Sequence, residues 1–235
     1  IDIGEAKKTI KEDMDNMQEQ INTPTIFIEA TFAGMPKTYR DLGELIGDNA
    51  RTEVLAKYCE ETLALCKKAK AEVPQEKVVK VYWASGDLGL STNAVGSFHS
   101  ELLDYIPVVN VADVEASSKG GGSEVSMEQI LQWNPDYLLV DGAALAEEIK
   151  KDPAWGALEA VKNDKIIIIP SVPYGFMGYP PSINRYLGVR WLGATFYPQI
   201  YIDSPEKQVK DFFKLFYSIE VDDAQLAEIL AGTFE

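Results

Sequence analysis

Histidine and cysteine are nearly missing from this chain, with one His and two Cys in 235 residues, and basic side chains are outnumbered by acidic ones, 22 to 37. Each shortage excludes something. A single imidazole, His99, together with carboxylates suits neither a closed structural zinc site nor a common catalytic one, and a lone His is read first as a packing or surface residue. No H-E-x-x-H, C-x-x-C, G-x-S-x-G or phosphate-loop pattern occurs. The net charge of −15 disfavours nucleic acid and anionic lipid, whose phosphates are bound by Lys and Arg releasing counterions. Apolar runs are short as well: Ile166 to Ile169 has the length of a strand, far below the roughly 20 residues of a membrane helix. Cys59 and Cys66, seven positions apart on one helix, would hold their Cα atoms about 10 Å apart, beyond the reach of a disulfide. They are expected to be free, buried thiols.

What the chain does have is a long helical stretch, Asp48 to Val73. Gly47 can end the helix before it, Asp48 or Asn49 can cap its start, and Pro74 stops it. Leu55, Tyr58, Cys59, Thr62, Leu63, Cys66 and Ala69 recur at three- and four-residue steps and mark a buried stripe. Such a helix spans about 35 Å, enough to carry a lobe at each end; the plainer alternative is an amphipathic helix inside one domain. The division that follows is 1–47, a partial amino-terminal lobe; 48–73, a connecting helix; and 74–235, a carboxyl-terminal lobe. In the first part Ile1 to Gly4 reads as the end of a buried strand, Glu5 to Gln20 as a charged surface helix, Pro24 to Ala30 as a short strand, and Pro36 to Ile46 as a helix.

After Pro74 strands and helices alternate. Strands are expected at Val78 to Ala84, Val108 to Ala112, Tyr137 to Val140 and Lys165 to Ile169. Helices are expected at Ser97 to Tyr105, Ser126 to Trp133, Ala143 to Lys150, Asp152 to Lys162, Ser182 to Tyr197, Ser204 to Tyr217 and Asp222 to Leu230. Apolar strands spaced by helices predict an α/β fold, a Rossmann-like lobe with a mostly parallel sheet covered on both faces. Ligands of such sheets bind in the loops beyond the strands' carboxyl ends. Two of those loops have unusual composition. Ser85 to Gly96 is rich in Gly and small hydroxyl residues, and is either a backbone-amide ligand site or a flexible turn. Ser171 to Pro181 displays Tyr174, Phe176, Met177 and Tyr179, which either plug a core or line a pocket. Lys119 to Ser123 is a flexible, low-complexity loop. In the helix from Ser182, Tyr186, Leu187, Trp191 and Leu192 face inward and Arg185 and Arg190 lie on other faces. Ser126, with Gln129 three residues later, forms a capping box, and Glu128 sits in that helix's first turn, where it complements the helix dipole.

The succession VSMEQILQWNPDYLLVDG, DPAWGALEAVKNDKIIIIP and PPSINRYLGVRWLGATFYP resembles the carboxyl lobe of extracytoplasmic substrate-binding proteins of ABC importers for iron chelates, haem and vitamin B12. LGELIGDNARTEVLAKY resembles the end of that family's amino lobe and its connecting helix, and GLSTNAVGSFHSELLDYIPVVNVAD the first unit of its second lobe. The resemblance implies two Rossmann-like lobes bridged by a rigid helix, a ligand held in the cleft between them, no catalysis and no cofactor. Glu128 stands where the family's carboxyl-lobe acid docks onto arginines of the permease. Ligand contacts carried over are Ser85, Leu90 and Thr92 after the first strand, and Tyr174, Phe176, Met177 and Tyr179 before the Pro-Ser helix. Where the family often has an Arg before that Pro-Ser, this chain has Gly178 and Tyr179, which weakens the case for a strongly anionic ligand. A member of typical lobe size would carry roughly 80 to 100 further residues at its start, with the export leader and lipid anchor, and the exposed strand edges of the partial lobe invite a dimer. The implied role is delivery of an iron chelate, siderophore or haem, to a permease; molybdate, tungstate or a corrinoid is the alternative ligand. An enzyme of nitrogenase-like or chelatase type would need cluster-ligating cysteines or paired histidines that the sequence lacks.

Overall fold

A computed structural model describes residues 1–4, 7–117, 122–178 and 180–232. Glu5, Tyr179 and Lys119 to Gly121 lie outside the described residues. The chain divides into two compact units, Ile1–Ala64 and Leu65–Glu235.

The first unit contains β1 (Asp2–Gly4), α1 (Ile10–Ile21), β2 (Phe27–Glu29), α2 (Met35–Ile46) and most of α3 (Asn49–Glu72). β1 and β2 pair in parallel, Ile3 against Ile28. Ile1 and Ile3 are 64% and 45% exposed, so the initial strand forms but is not buried as expected; a two-stranded sheet has too little surface to cover both faces. Gly47, with φ 77°, ends α2 in the left-handed region that glycine enters without steric cost. The Asp48 carboxylate then accepts the Arg51 N–H at 3.2 Å and caps α3. Along α3, Tyr58, Cys59, Thr62, Cys66 and Ala69 of the expected stripe are buried, whereas Leu55 and Leu63 are only half-buried and Thr52 and Ala56 are buried in addition. Arg40 of α2 donates to Glu53 at 2.8 Å and to Glu60 at 2.7 Å on α3, and its guanidinium holds both carboxyl groups below the usual carboxylate range. Cys59 and Cys66 are buried and form no disulfide, and burial pushes the Cys66 thiol up to about 11.

The second unit is built on β3 (Val79–Ala84), β5 (Val108–Asn110), β7 (Tyr137–Val140) and β8 (Ile166–Ile168), hydrogen bonded in parallel in the order β5-β3-β7-β8. A small antiparallel ribbon joins β4 (Ser91–Thr92) to β6 (Ser123–Glu124). Side chains alternate across a strand. Tyr82, Ala84, Leu138 and Val140 therefore face one layer, where they pack with Ile130 of α4 (Met127–Trp133), Ala146 and Ile149 of α5 (Ala143–Lys151), Trp155, and Ala160 of α6 (Glu159–Lys162). Val81, Trp83, Tyr137 and Leu139 face the other. There Tyr137 meets Phe196 of α7 (Asn184–Phe196) with ring centroids 5.0 Å apart, and the Tyr197 hydroxyl donates to Pro107 O at 2.6 Å while accepting the Val79 N–H at 3.2 Å. α8 (Pro205–Phe212), continued by a turn of π-helix over Phe213–Tyr217, and α9 (Asp223–Ala231) close the chain, with Ser204 and Asp222 as caps.

Three expectations change here. Asp152 to Lys162 is not one helix: Asp152 ends α5, its carboxylate accepts the N–H groups of Ala154 and Trp155 at 2.7 and 3.3 Å, and Leu158 is extended between a 3₁₀ turn and α6. The side chain satisfies turn amides that a continuing helix would have paired internally. α7 is not amphipathic, because residues 184–194 are all buried, Arg185 and Arg190 included. Burial of Arg185 is tolerated because its guanidinium pairs with Glu101 and lies 4.9 Å from the centre of the Phe98 ring. Segment Phe98–Tyr105, expected as a helix, is 3₁₀. It is tied to the loop after β8 by the His99 ring, whose Nδ1 donates to Gly178 O at 2.9 Å.

Candidate functional site

The loops at the carboxyl ends of β3, β7 and β8 enclose the best candidate for a binding site. β3 delivers Trp83, β7 is followed directly by Asp141 and Gly142, and β8 leads into residues 169–178. Together Trp83, Asp141, Ile169, Pro170, Met177 and neighbouring glycines line a pocket of about 250 Å³. The position follows from parallel pairing: Trp83 sits opposite Leu139, so both strands reach the same end of the sheet together and their loops open side by side.

The pocket is mostly apolar. The Trp83 indole N–H donates to Asp141 Oδ1 at 2.8 Å, which orients the ring and leaves the rest of the carboxylate toward the pocket. Asp141 is exposed as a residue; the protein beside its carboxyl group removes enough water to push it up to about 6, against the opposing effect of the indole hydrogen bond. Asp141 is the one ionisable side chain among the lining residues. Among the described residues no three His, Cys, Asp or Glu side chains cluster as a metal site would require.

The residues singled out in the sequence are distributed unevenly. Met177 lines the pocket. Phe176, one position away, is fully buried and meets Trp191 edge-on at 5.8 Å; it is core, because the Phe176 carbonyl lies against Gly188 of α7 and draws its residue inward. Tyr174 is 47% exposed, and its carbonyl accepts the Asn184 amide at 2.8 Å. Tyr179 lies outside the described residues. Ser85, Leu90 and Thr92 are not brought to the pocket. Ser85 and Ser91 exchange backbone bonds at 2.8 and 3.2 Å, the Ser85 hydroxyl donates to Ser91 O at 2.8 Å, Leu90 packs into the core layer beside Trp155, and Thr92 is wholly buried in the β4–β6 ribbon. The glycine-rich loop is thus a closed, internally bonded turn. Sequence reasoning passed over Trp83 and Asp141, although an acid immediately after a buried parallel strand is where the strand-end rule looks for ligands.

On α4, the Ser126 and Gln129 capping box is complete. Glu128 is exposed in the first turn, and its own backbone N–H and the Ser126 hydroxyl hold its carboxyl below the usual range. The NPD turn that follows has a defined purpose: Asn134, left-handed at φ 44°, ends α4, and Asp136 exchanges bonds with Lys80, N–H to O and N–H to carboxylate, each at 2.8 Å, which sets β7 in register on β3.

Comparison with known proteins identifies the family and the fold. The molybdate-binding protein MolA of Haemophilus influenzae is 32% identical over 149 residues, 62% of this chain and 41% of that protein. The high-affinity heme uptake system protein IsdE of Staphylococcus aureus is 26% identical over 179 residues, 71% of this chain and 59% of that protein. The chain therefore spans about half the length of these curated relatives. Among solved structures, an ABC transporter solute binding protein from Sulfurospirillum deleyianum superimposes with a TM-score of 0.85 at 29% identity, over 97% of this chain and 71% of that one. The family described as periplasmic binding protein matches residues 7–173, a range that takes in the whole parallel sheet and the residues lining most of its pocket; this chain belongs to that family.

Proposed function

We propose that this chain acts as an extracytoplasmic solute-binding component of an ABC importer, one that captures an iron chelate and passes it to a permease without chemistry of its own. The observation that carries the ligand class is the character of the pocket. Indole, Ile, Pro and Met surfaces suit the apolar face of a chelate, where dispersion supplies much of the contact, whereas a bare oxyanion would meet a carboxylate and no cation. One ionisable side chain supports binding over turnover, since acid–base catalysis needs a matched partner. Among the described residues no helix is long and apolar enough to cross a membrane.

Tryptophan emission tests the reading, because Trp83 lines the pocket. A ferric trihydroxamate or haem should quench it saturably, and Trp83→Phe should remove most of the response although three other tryptophans remain. Molybdate binding without any chelate binding would replace this reading by the oxyanion one, which the 32% identity to a molybdate-binding protein favours. Silence toward every metal chelate and oxyanion would sink both.

Glu128, exposed beyond its helix cap, is the residue we assign to the permease. Its neutral variant Glu128→Gln should leave solute affinity unchanged while uptake in reconstituted vesicles falls about tenfold, the scale of one charge-assisted contact. Unchanged uptake would return Glu128 to its helix-capping role alone.

A further inference from the structure

The pocket contains a charge without a counter-charge. Asp141 Oδ1 accepts the Trp83 N–H; among the described residues its other oxygen accepts no protein hydrogen bond and no cation pairs with it. The groups facing it are the indole from β3 and the uncharged residues 169–178 after β8. Asp141 is exposed as a residue, so its carboxylate is open to a ligand, and a ligand that brings a donor supplies the counter-charge that the pocket lining does not. A free divalent cation is a poor match, because calcium or magnesium needs six or more oxygens and one carboxylate supplies two. An oxyanion would be repelled. An alkylammonium needs a single charge-assisted hydrogen bond and tolerates apolar walls along its methylenes.

We propose that Asp141 determines specificity in this pocket by receiving a primary ammonium group carried by the bound chelate, with Trp83 holding the carboxylate in place. The proposal rests on the reading of the pocket as the chelate site and narrows the chelate to one with a cationic arm. Its pH dependence has a definite sign. Burial raises the Asp141 carboxyl to about 6, so the group is ionised and selective above that pH and protonated, without preference, well below it.

Two ferric trihydroxamates that differ only in a terminal amine, free in one and N-acetylated in the other, provide the test by titration calorimetry. The ammonium form should bind about tenfold more tightly at pH 7.5, the low end for a charge-assisted hydrogen bond, and the ratio should approach one by pH 5. Asp141→Asn, whose amide oxygen can still accept from the indole, should bind both chelates alike at either pH. Equal binding of the pair by the unaltered protein at pH 7.5 would overturn the ammonium assignment and leave the chelate reading standing. Binding of neither chelate would overturn both. Should the variant fail to fold, the paired chelates and their pH dependence in the unaltered protein still decide.

Discussion

Gly188→Ala is expected to destabilise the protein by about 3 kcal/mol, at the upper end of what overpacking usually costs, and to lower the melting temperature by roughly 6 to 12 °C for a chain of this size. The cause is local and rigid. A Cβ at position 188 would stand 2.0 Å from the Phe176 carbonyl oxygen and 2.9 Å from its carbon, so backbone must move, and no side-chain rotation relieves the clash. Phe176 is fully buried against Trp191, and Met177 beside it lines the pocket, so the displacement should also weaken solute binding. Gly156→Ala is the control, since nothing lies within 4 Å of its added methyl; its change should stay within about 0.5 kcal/mol. Thermal and urea melting of the two variants decide, and a Gly188→Ala protein as stable as the control would mean that α7 does not press on the loop after β8.

Glu101→Gln should cost about 2 to 3 kcal/mol, below the 3 to 5 of a fully buried pair broken on one side. The Arg185 side chain is 7% exposed and that of Glu101 30%, so the variant strands a guanidinium that solvent barely reaches. Removing both charges in Glu101→Gln/Arg185→Met should recover part of the loss, because the desolvation cost of the orphaned cation disappears with it. A double variant as unstable as the sum of the single changes would refute the pairing argument. Arg40 offers the contrast: its bonds to Glu53 and Glu60 lie at a surface where all three side chains are at least 40% exposed, and exposed pairs of this kind are screened by water and salt.

Much of this molecule could be read from local pattern. The caps at Asp48, Ser126, Ser204 and Asp222, the glycine after α2 and the apolar strands after Pro74 all depend on neighbours within four residues, so the chain states them directly. The parallel sheet follows from the spacing of those strands, and the family from the order of three motifs. The place of Glu128 in the first turn of α4 was legible for the same reason, as the third residue of a Ser-x-Glu start.

Residues whose role depends on distant partners could not be read in this way. Phe176 and Met177 are adjacent and similar in chemistry, yet one is core and the other lines a pocket, because Gly188, twelve positions on, brings a helix against the Phe176 carbonyl. Arg185 and Arg190 look like surface residues on α7, and burial of Arg185 became affordable only where Glu101 and Phe98 arrived from another segment. Trp83 and Asp141 are separated by 58 positions and become a pair through the register of β3 on β7. The chain by itself determined the elements, their order and their family, since hydrogen bonding and hydrophobic period are short-range properties; which side chains line the pocket was decided by the tertiary structure, since burial, desolvation and hydrogen bonding between distant residues exist only after the sheet and α7 have packed.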